Sequence, residues 1–571
     1  MNRATLFLIL GLCSCGEGTP DEEPHYAREI GAKEDAVLVG DSWTPNVLLK
    51  DDSTMFSNGK PTGGWFVTPI HTTLLTDGRV LVTGWSRHDQ YNCGPHGTRQ
   101  NGETFVLDPN SVGSGGTFMV SPIDEAPQTA GDVLYCSGQV TLAAGRVFYL
   151  GGASYVNLGD PHELEFGLNY ARIFDPTNLT FSRVPDLLDG GPVGQEGLHW
   201  YATATRLPNG RVLTTGGFTE CCDGKFANLS MHTFDPQLAN AGLRPWNLLV
   251  SQQHGDGDTT PGLRDYTHTV LLPKTVNVGG LDRDIVMMGW NGKMIFFSSA
   301  DGLSEASRFA ARPNTQRPIN AAAWDSSAAL VSTGEVMTSG GTSDPNVARR
   351  AHFYNPQTDK WTALDTGIGR HNPATVLLPD GTVLLLSGEN DQTPFPGDRR
   401  MPQVIDPVAK TVKTMGIWPN DANERGYHNF ALLLKDGRVL VGGGTSSQGG
   451  IGCERPDLRI YMPSYFSGGA RPVVSGVSEP LAFQIGGAPV TLGLSKGPLR
   501  PTGGVVLMAT GSFTHSFDQN QRYVPLSFTQ SPSSVHVTLP SDPRVAPPGE
   551  YILYFIGKNG VPSLGKHVHL D

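Results

Sequence analysis

Charge is scarce in this chain of 571 residues, and what there is leans acidic. Asp, Glu, Lys and Arg make up only 17 %, and the formal net charge is −12. No stretch gathers Lys and Arg into a basic patch, so a nucleic-acid partner, which rewards clustered cations along its phosphates, is not expected. A membrane-spanning run is missing too. The apolar stretch from Leu6 to Leu12 is far shorter than the about 20 residues that a spanning helix needs. Cysteine is sparse, at seven. Glycine (71) and proline (43) are abundant instead. That pairing suits a β protein dense in turns, because Gly supplies free φ and Pro a fixed one. Apolar runs recur along the whole length, which excludes a disordered chain.

The start, MNRATLFLILGLCSCGEG, places Arg3 before the apolar run and small residues after it, the pattern of a secretory signal. Leu12-Cys13-Ser14-Cys15 resembles a bacterial lipobox with Cys15 as the acyl-bearing residue. Residues 1–15 are expected to be a lipoprotein-type signal and the polar residues 16–36 a flexible tether. The protein is then exported, either lipid-anchored at the cell envelope or secreted, and touches a membrane only through the anchor. Cys93, Cys136, Cys221, Cys222 and Cys453 remain. An odd number leaves at least one outside any intramolecular disulfide.

A unit of the form (Asp/Asn)-Gly-Arg-Val followed by apolar residues and Gly-Gly recurs along the chain. It reads TDGRVLVTGW, AAGRVFYLGG, PNGRVLTTGG, a degenerate DRDIVMMGWNG, STGEVMTSGG, PDGTVLLLSG and KDGRVLVGGG. These copies lie about 50 to 70 residues apart, near the kelch spacing. Apolar strands such as HTTLL, YATATRL and NFALLL precede the unit, and strands ending in Asp-Pro or Asn-Pro turns (FVLDPN, RIFDPT, HFYNPQ) follow it. Strand, turn, strand, Gly-Gly, strand, turn, strand makes a four-stranded antiparallel sheet. Repeated radially, such sheets are propeller blades. The expectation is an all-β chain, with a seven-bladed kelch-type β-propeller over 37–467. An open stack of paired strands is the alternative. Past Gly468-Gly469 the repeat stops, and APVTLGL, GGVVLMAT, SSVHVTLP and EYILYFIG read as short strands with polar–apolar alternation. Residues 468–571 are therefore expected to form an immunoglobulin-like β-sandwich.

Four segments carry reactive side chains beside repeat strands. They are VLYCSGQVTL with Cys136, GLHWYATATRLPNGRV with Tyr201, ERGYHNFALLLKDGRV with Tyr427 and His428, and THSFDQNQRYVPL with His515 in the C-terminal domain. Cys136, Tyr201 and Tyr427 with His428 each open the strand that leads into a turn, so they hold one structural place in three repeats and can face one another. Two imidazoles and phenolate oxygens form the tetragonal N,O set that suits Cu(II).

These segments resemble those of the copper radical oxidases, the family of galactose oxidase and glyoxal oxidase. The resemblance rests on Arg425, Tyr427 and His428 before a Leu-rich strand and Asp-Gly-Arg-Val. It rests also on Thr514, His515, Asp518, Gln519 and Arg522, on Cys136 opening a Cys-x-Gly strand, and on Tyr201. It covers roughly residues 60 to 571, with a domain layout nearer to glyoxal oxidase. It implies a thioether between Cys136 and Tyr201 that carries a tyrosyl radical. Copper ligation by Tyr201, Tyr427, His428 and His515 is likewise implied, with Tyr427 as the proton acceptor. The family's Arg before the cross-linking tyrosine is replaced here by His199-Trp200, and Gly216-Gly217-Phe218-Thr219 lacks the tryptophan found there in galactose oxidase. Trp85 is the first candidate for stacking on the cross-link and Phe218 the second. The implied activity is oxidation of a primary alcohol or small aldehyde, free or on a glycan, by O2 with release of H2O2, in a monomer. The rivals are a non-catalytic kelch surface protein that binds glycans or proteins and a copper scaffold without radical chemistry.

Overall fold

The computed structural model describes residues 40–51, 65–87, 101–129, 131–155, 165–187, 197–219, 228, 230–251, 266–288, 294–312, 326–341, 344–390, 396–416, 424–446, 453–476 and 478–571. The expected signal and tether (1–36) lie outside them, as do Cys93, Cys221, Cys222 and the side chain of Cys453. Regular structure is almost all β-strand, and no helix among the described residues is long and apolar enough to cross a membrane.

The repeated unit folds as an antiparallel meander, paired in chain order. One sheet runs Thr203–Arg206, Val212–Thr215, Met231–Phe234, Trp246–Val250; another runs Ala374–Leu377, Val383–Leu386, Gln403–Asp406, Thr411–Thr414. The first strands of successive sheets pack on one another, and Asn429–Leu433 packs against Trp65–Leu74, so the last repeat meets the first. Ser42–Trp43 and Val47–Asp51, at the start of the repeat region, pair with Asp457–Met462 at its end. An open stack would leave those ends apart.

Burial follows from this arrangement. First strands are flanked by neighbours on both faces, and every residue of Thr203–Arg206, Ser326–Leu330 and Ala374–Leu377 is buried. Fourth strands such as Lys360–Asp365 and Thr411–Thr414 face mostly solvent.

The repeated turn motifs have a local cause. In Asp-Gly-Arg-Val the acidic side chain accepts the amide two residues on, as in Arg79 N–H to Asp77 Oδ1 at 2.9 Å and Arg438 N–H to Asp436 Oδ1 at 3.0 Å. The glycine between takes positive φ, 79° at Gly210 and 90° at Gly437. The Asp-Pro turns do the same. Asp175, Asp235 and Asp406 each accept the amide two residues ahead at 2.8–2.9 Å. The degenerate copy departs: its hairpin turns on Gly279-Gly280, between Val278 and Leu281.

The C-terminal part is two sheets around one core. One holds Val473–Ser475, Val490–Lys496, Ser534–Thr538 and Ser527–Gln530; the other holds Leu481–Phe483, Lys566–Leu570, Gly549–Phe555, Val505–Ala509 and Tyr523–Pro525. Alternation assigns the faces of the second sheet. Val505, Leu507, Leu553 and Phe555 enter the core between the sheets. Val506, Met508, Ile552 and Tyr554 enter a core shared with Leu432, Leu434 and Tyr465 of the repeat region. Val505–Ala509 and Gly549–Phe555 are therefore buried on both faces, unlike the half-exposed strands expected from sequence.

A hairpin leaves this domain and enters the repeat region. Its strands Ser512–Thr514 and Phe517–Asp518 pair with each other, and Phe513 and Ser512 pair with Thr72 and Thr73 of Trp65–Leu74. The Gln519 Oε1 atom accepts the Gln139 and Ala204 amides, each at 2.9 Å, and Arg522 donates to the Leu271 carbonyl at 2.7 Å. Buried bonds of this kind contribute about 0.5–1.5 kcal/mol each. They also fix where the tip of the hairpin stands.

Candidate active site

The first strands begin with a shared irregularity. Cys136, Tyr201, Asn372 and His428 stand at the same distance before their turn glycines, Tyr266 opens the strand of the degenerate copy whose hairpin turns later, and all five have positive φ, at 62°, 63°, 52°, 68° and 37° in that order. For residues with a Cβ this region costs about 1–3 kcal/mol each, so the surroundings must hold it. At Cys136 the strand register slips between Val133 and Ser137, a β-bulge that re-aims the side chain. Backbone bonds then link the bulges in series. Tyr201 N–H donates to the Cys136 carbonyl at 2.7 Å, and Tyr266 N–H donates to the Tyr201 carbonyl at 2.8 Å. Where the unit keeps its Gly-Gly, the glycines make room for the neighbouring bulge segment: a Cβ on Gly151 would lie 2.0 Å from the His199 carbonyl oxygen.

His515 arrives from the other domain at the tip of the hairpin. With Thr514 paired to Phe517, His515 and Ser516 form a two-residue turn with φ of 44° and 70°, the primed type that tight hairpins favour. Its ring is a hub. It stacks on Tyr266 at 4.5 Å and meets the rings of Tyr201 (5.2 Å), Tyr427 (5.1 Å) and His428 (4.7 Å) edge-on. The Tyr201 and Tyr427 hydroxyls touch. The Cys136 sulfur and ring nitrogens of His428 and His515 lie within 4.8 Å of one another, all buried. Cys136, Tyr201, Tyr427, His428 and His515 are thus brought together. His428, rather than Tyr427, holds the shared register position.

A hydrogen bond to a carboxylate fixes the tautomer of His428, and a hydroxyl that can donate or accept faces His515. His428 Nδ1 bonds the Glu454 carboxylate at 2.6 Å, and His515 Nδ1 bonds the Thr514 hydroxyl at 2.6 Å. The carboxylate puts the His428 proton on Nδ1 and leaves its Nε2 lone pair free, and the Thr514 hydroxyl is compatible with the same tautomer at His515. Both Nε2 atoms are buried and unpartnered.

Comparison with known proteins is decisive at this point. A family profile described as Galactose oxidase-like, Early set domain matches residues 471–570. Galactose oxidase of Gibberella zeae is 24 % identical over 521 residues, covering 87 % of this chain and 68 % of that protein. Aldehyde oxidase GLOX of Vitis pseudoreticulata is 28 % identical over 421 residues, covering 65 % of this chain and 72 % of that one. The chain is a homologue of galactose oxidase and aldehyde oxidase GLOX. Its fold is shared with a fungal alcohol oxidase of the AA5 family solved in complex with copper, at a TM-score of 0.67 and 18 % identity, covering 93 % of this chain and 99 % of that one.

The residues present fit copper. The two buried, unpartnered imidazole nitrogens, beside the paired hydroxyls of Tyr201 and Tyr427, form a set of lone pairs suited to a cation. Burial, then the neighbouring His428 and His71, hold His515 neutral and hence able to ligate. Burial, then the Cys136 thiol and Tyr427, push the Tyr201 phenol far above its ordinary value. A cation beside it reverses that balance, because a bound metal is the strongest local charge.

Trp85 lies edge-on to His428 at 5.4 Å and to Tyr135 at 5.0 Å, and its indole N–H donates to Glu454. It shares an apolar cluster with Cys136 and Trp200, against which Tyr201 and Phe218 pack. The Tyr201 ring lies 4.2 Å from its sequence neighbour Trp200, and Phe218 is 6.0 Å from Trp200.

Sequence reasoning missed several residues at this site. Tyr266 was accessible, since DYTHTVLLP repeats the register of HWYATATRLP. Glu454 carried no signal: it stands on a two-residue strand, Cys453–Glu454, and acts only because folding brings it under His428 and Trp85. Tyr427 N–H donates to Glu389 Oε1 at 3.1 Å, a second carboxylate support.

Proposed function

We propose that this protein is a copper-dependent oxidase acting on a primary alcohol, or on a small aldehyde as its hydrate. One substrate and one O2 give the next oxidation level and one H2O2. The observation that carries this reading is the pair of buried, unpartnered Nε2 nitrogens of His428 and His515, gathered with the Cys136 thiol and the touching hydroxyls of Tyr201 and Tyr427.

Tyr201 Oη, Tyr427 Oη, His428 Nε2 and His515 Nε2 would hold the copper ion. When bound, copper supplies a one-electron oxidant and a Lewis acid for the substrate oxygen. Maturation would bond the Cys136 sulfur to the Tyr201 ring, removing the thiol hydrogen and one ring hydrogen, both taken by O2. Tyr427 accepts the proton of the substrate hydroxyl through Oη. Tyr201, as its radical, takes the hydrogen atom from the substrate carbon. Trp85 packs beside His428 and Cys136 and shields the radical from water.

The architecture that serves this chemistry is a seven-bladed propeller over 37–467 with a β-sandwich at 468–571 that delivers His515. Ring packing of the first strands and pairing of residues 42–48 with 457–462 support closure. The protein is exported as a monomer, secreted or held to the envelope by a lipid on Cys15.

An optical and EPR spectrum after Cu(II) loading and mild oxidation tests the reading, beside a Cys136→Ser control. Strong visible and near-infrared absorption with loss of the Cu(II) EPR signal, absent in the control, is expected. An ordinary Cu(II) signal indifferent to oxidant, or no stoichiometric copper, leaves a propeller binding protein.

A further inference from the structure

The reaction above uses no atom of His71, yet His71 is fully buried and meets Cys136 directly. The Cys136 amide N–H donates to His71 Nε2 at 2.8 Å. We infer that His71 is a positioning residue for the Cys136–Tyr201 cross-link, an inference that rests on the function proposed above.

Two bulges meet here. On Asp132–Thr141 the register slips between Val133 and Ser137, and on the adjoining Trp65–Leu74 it slips between Pro69 and His71. The first slip turns Cys136 to φ 62° and takes its N–H out of the ladder with the next strand. A buried amide needs an acceptor, and the second slip provides one in the His71 ring. The Cys136 carbonyl is held separately by the Tyr201 amide at 2.7 Å. With both sides of the residue fixed, the Cα–Cβ direction is fixed too, and only χ1 rotation remains to bring sulfur onto the Tyr201 ring.

The acceptor role requires a neutral ring, because an imidazolium has no lone pair. The 2.8 Å bond from the Cys136 amide identifies Nε2 as that acceptor, since a backbone N–H can only donate. The proton then sits on Nδ1, leaving Nε2 for the Cys136 amide. Were the ring lost, the bulge amide would be orphaned, and Cys136 would be free to relax from its strained φ away from Tyr201.

The test uses the full chain, loaded with Cu(II) in air, with cross-linking followed by intact mass (loss of two hydrogens) and by mobility on denaturing gels. His71→Gln places an amide oxygen near the position of Nε2, His71→Asn places one near Nδ1, and His71→Leu has no acceptor. The wild type and His71→Gln are expected to cross-link at similar rates, and His71→Leu roughly tenfold to a hundredfold more slowly. Copper stoichiometry should be equal in all of them, since the four ligands are untouched. Wild-type rates in His71→Leu overturn the inference, as do equal rates for His71→Gln and His71→Asn should the leucine variant not fold. A wild type that binds copper and never loses two hydrogens overturns the proposed function, and with it the role of His71.

Discussion

Five first strands of the repeat region hold residues in the left-handed backbone region at both ends. At the turn end the residue is glycine, as at Gly210 and Gly437, and the conformation costs little. At the other end it is Cys136, Tyr201, Tyr266, Asn372 or His428, and every one of them carries a Cβ. The same fold thus uses the residue suited to the geometry at one end and tolerates strain at the other. Strain is retained where side chains are needed, and of these five residues four stand in the candidate site. Backbone cost therefore marks function here more sharply than residue type does.

The largest effect expected from that comparison is at Gly151, which lets the strained segments approach. Its φ of 70° disfavours any side chain, and a Cβ would lie 2.0 Å from the His199 carbonyl oxygen. Gly151→Ala should cost on the order of 4 kcal/mol in chemical denaturation, among the severe single substitutions. A cost near that of a simple turn glycine would mean the bulge segments yield readily and the strain is unimportant.

Next is Glu454, which accepts from both His428 Nδ1 and the Trp85 indole. Glu454→Gln leaves one oxygen for two donors and turns an NH2 group toward one of them. Copper affinity, measured by competition with a chelator, should fall about 10- to 100-fold, the usual loss for a group that orients a metal-binding histidine. Unchanged affinity would show that His428 is held by packing alone.

Third is the relaxed end. Gly210 has φ 79° and open space where a Cβ would point. Gly210→Ala should cost only about 1–2 kcal/mol, the price of the left-handed conformation itself. The gap between this value and that for Gly151→Ala measures how much of the glycine requirement is crowding rather than φ. Similar values would erase the distinction between the two ends.

The turn end was legible in the sequence and the strained end only partly so. Asp77-Gly78-Arg79 and its copies encode a turn through one side chain and one glycine, all local, so the repeat could be read directly. Cys136, Tyr201 and His428 could be placed by counting back from those turns. His71, Glu454 and the face of Trp85 could not, because their partners lie 65, 26 and 369 residues away and meet only through sheet packing. The same holds for Gly549–Phe555: its alternation suggested one buried face, and contact with the repeat region buries the other.

The smallest expected effect separates the site from the domain seam by pH. His71 and His515 are held neutral by burial, so neither gains a proton across the ordinary range. Glu550 differs. It accepts from His567 Nε2 at 2.5 Å, His569 Nδ1 at 2.8 Å and the Gly145 amide of the repeat region at 3.2 Å. Burial alone would raise its pKa, but the bonds and charges of His567 and His569 lower it. Its stabilisation is therefore complete above about pH 4.3 and is lost as pH falls through the depressed value. The pKa of His569 is raised despite burial, by its bond to Glu550 and by Asp571. Its contribution is complete below about pH 6.5 and lost as pH rises through the raised value. Thermal stability should thus peak between those limits, by under about 1 kcal/mol because His569 is partly exposed. Glu550→Gln should flatten the profile while leaving copper binding unchanged. A variant that keeps the wild-type profile would place the pH response elsewhere than at this seam.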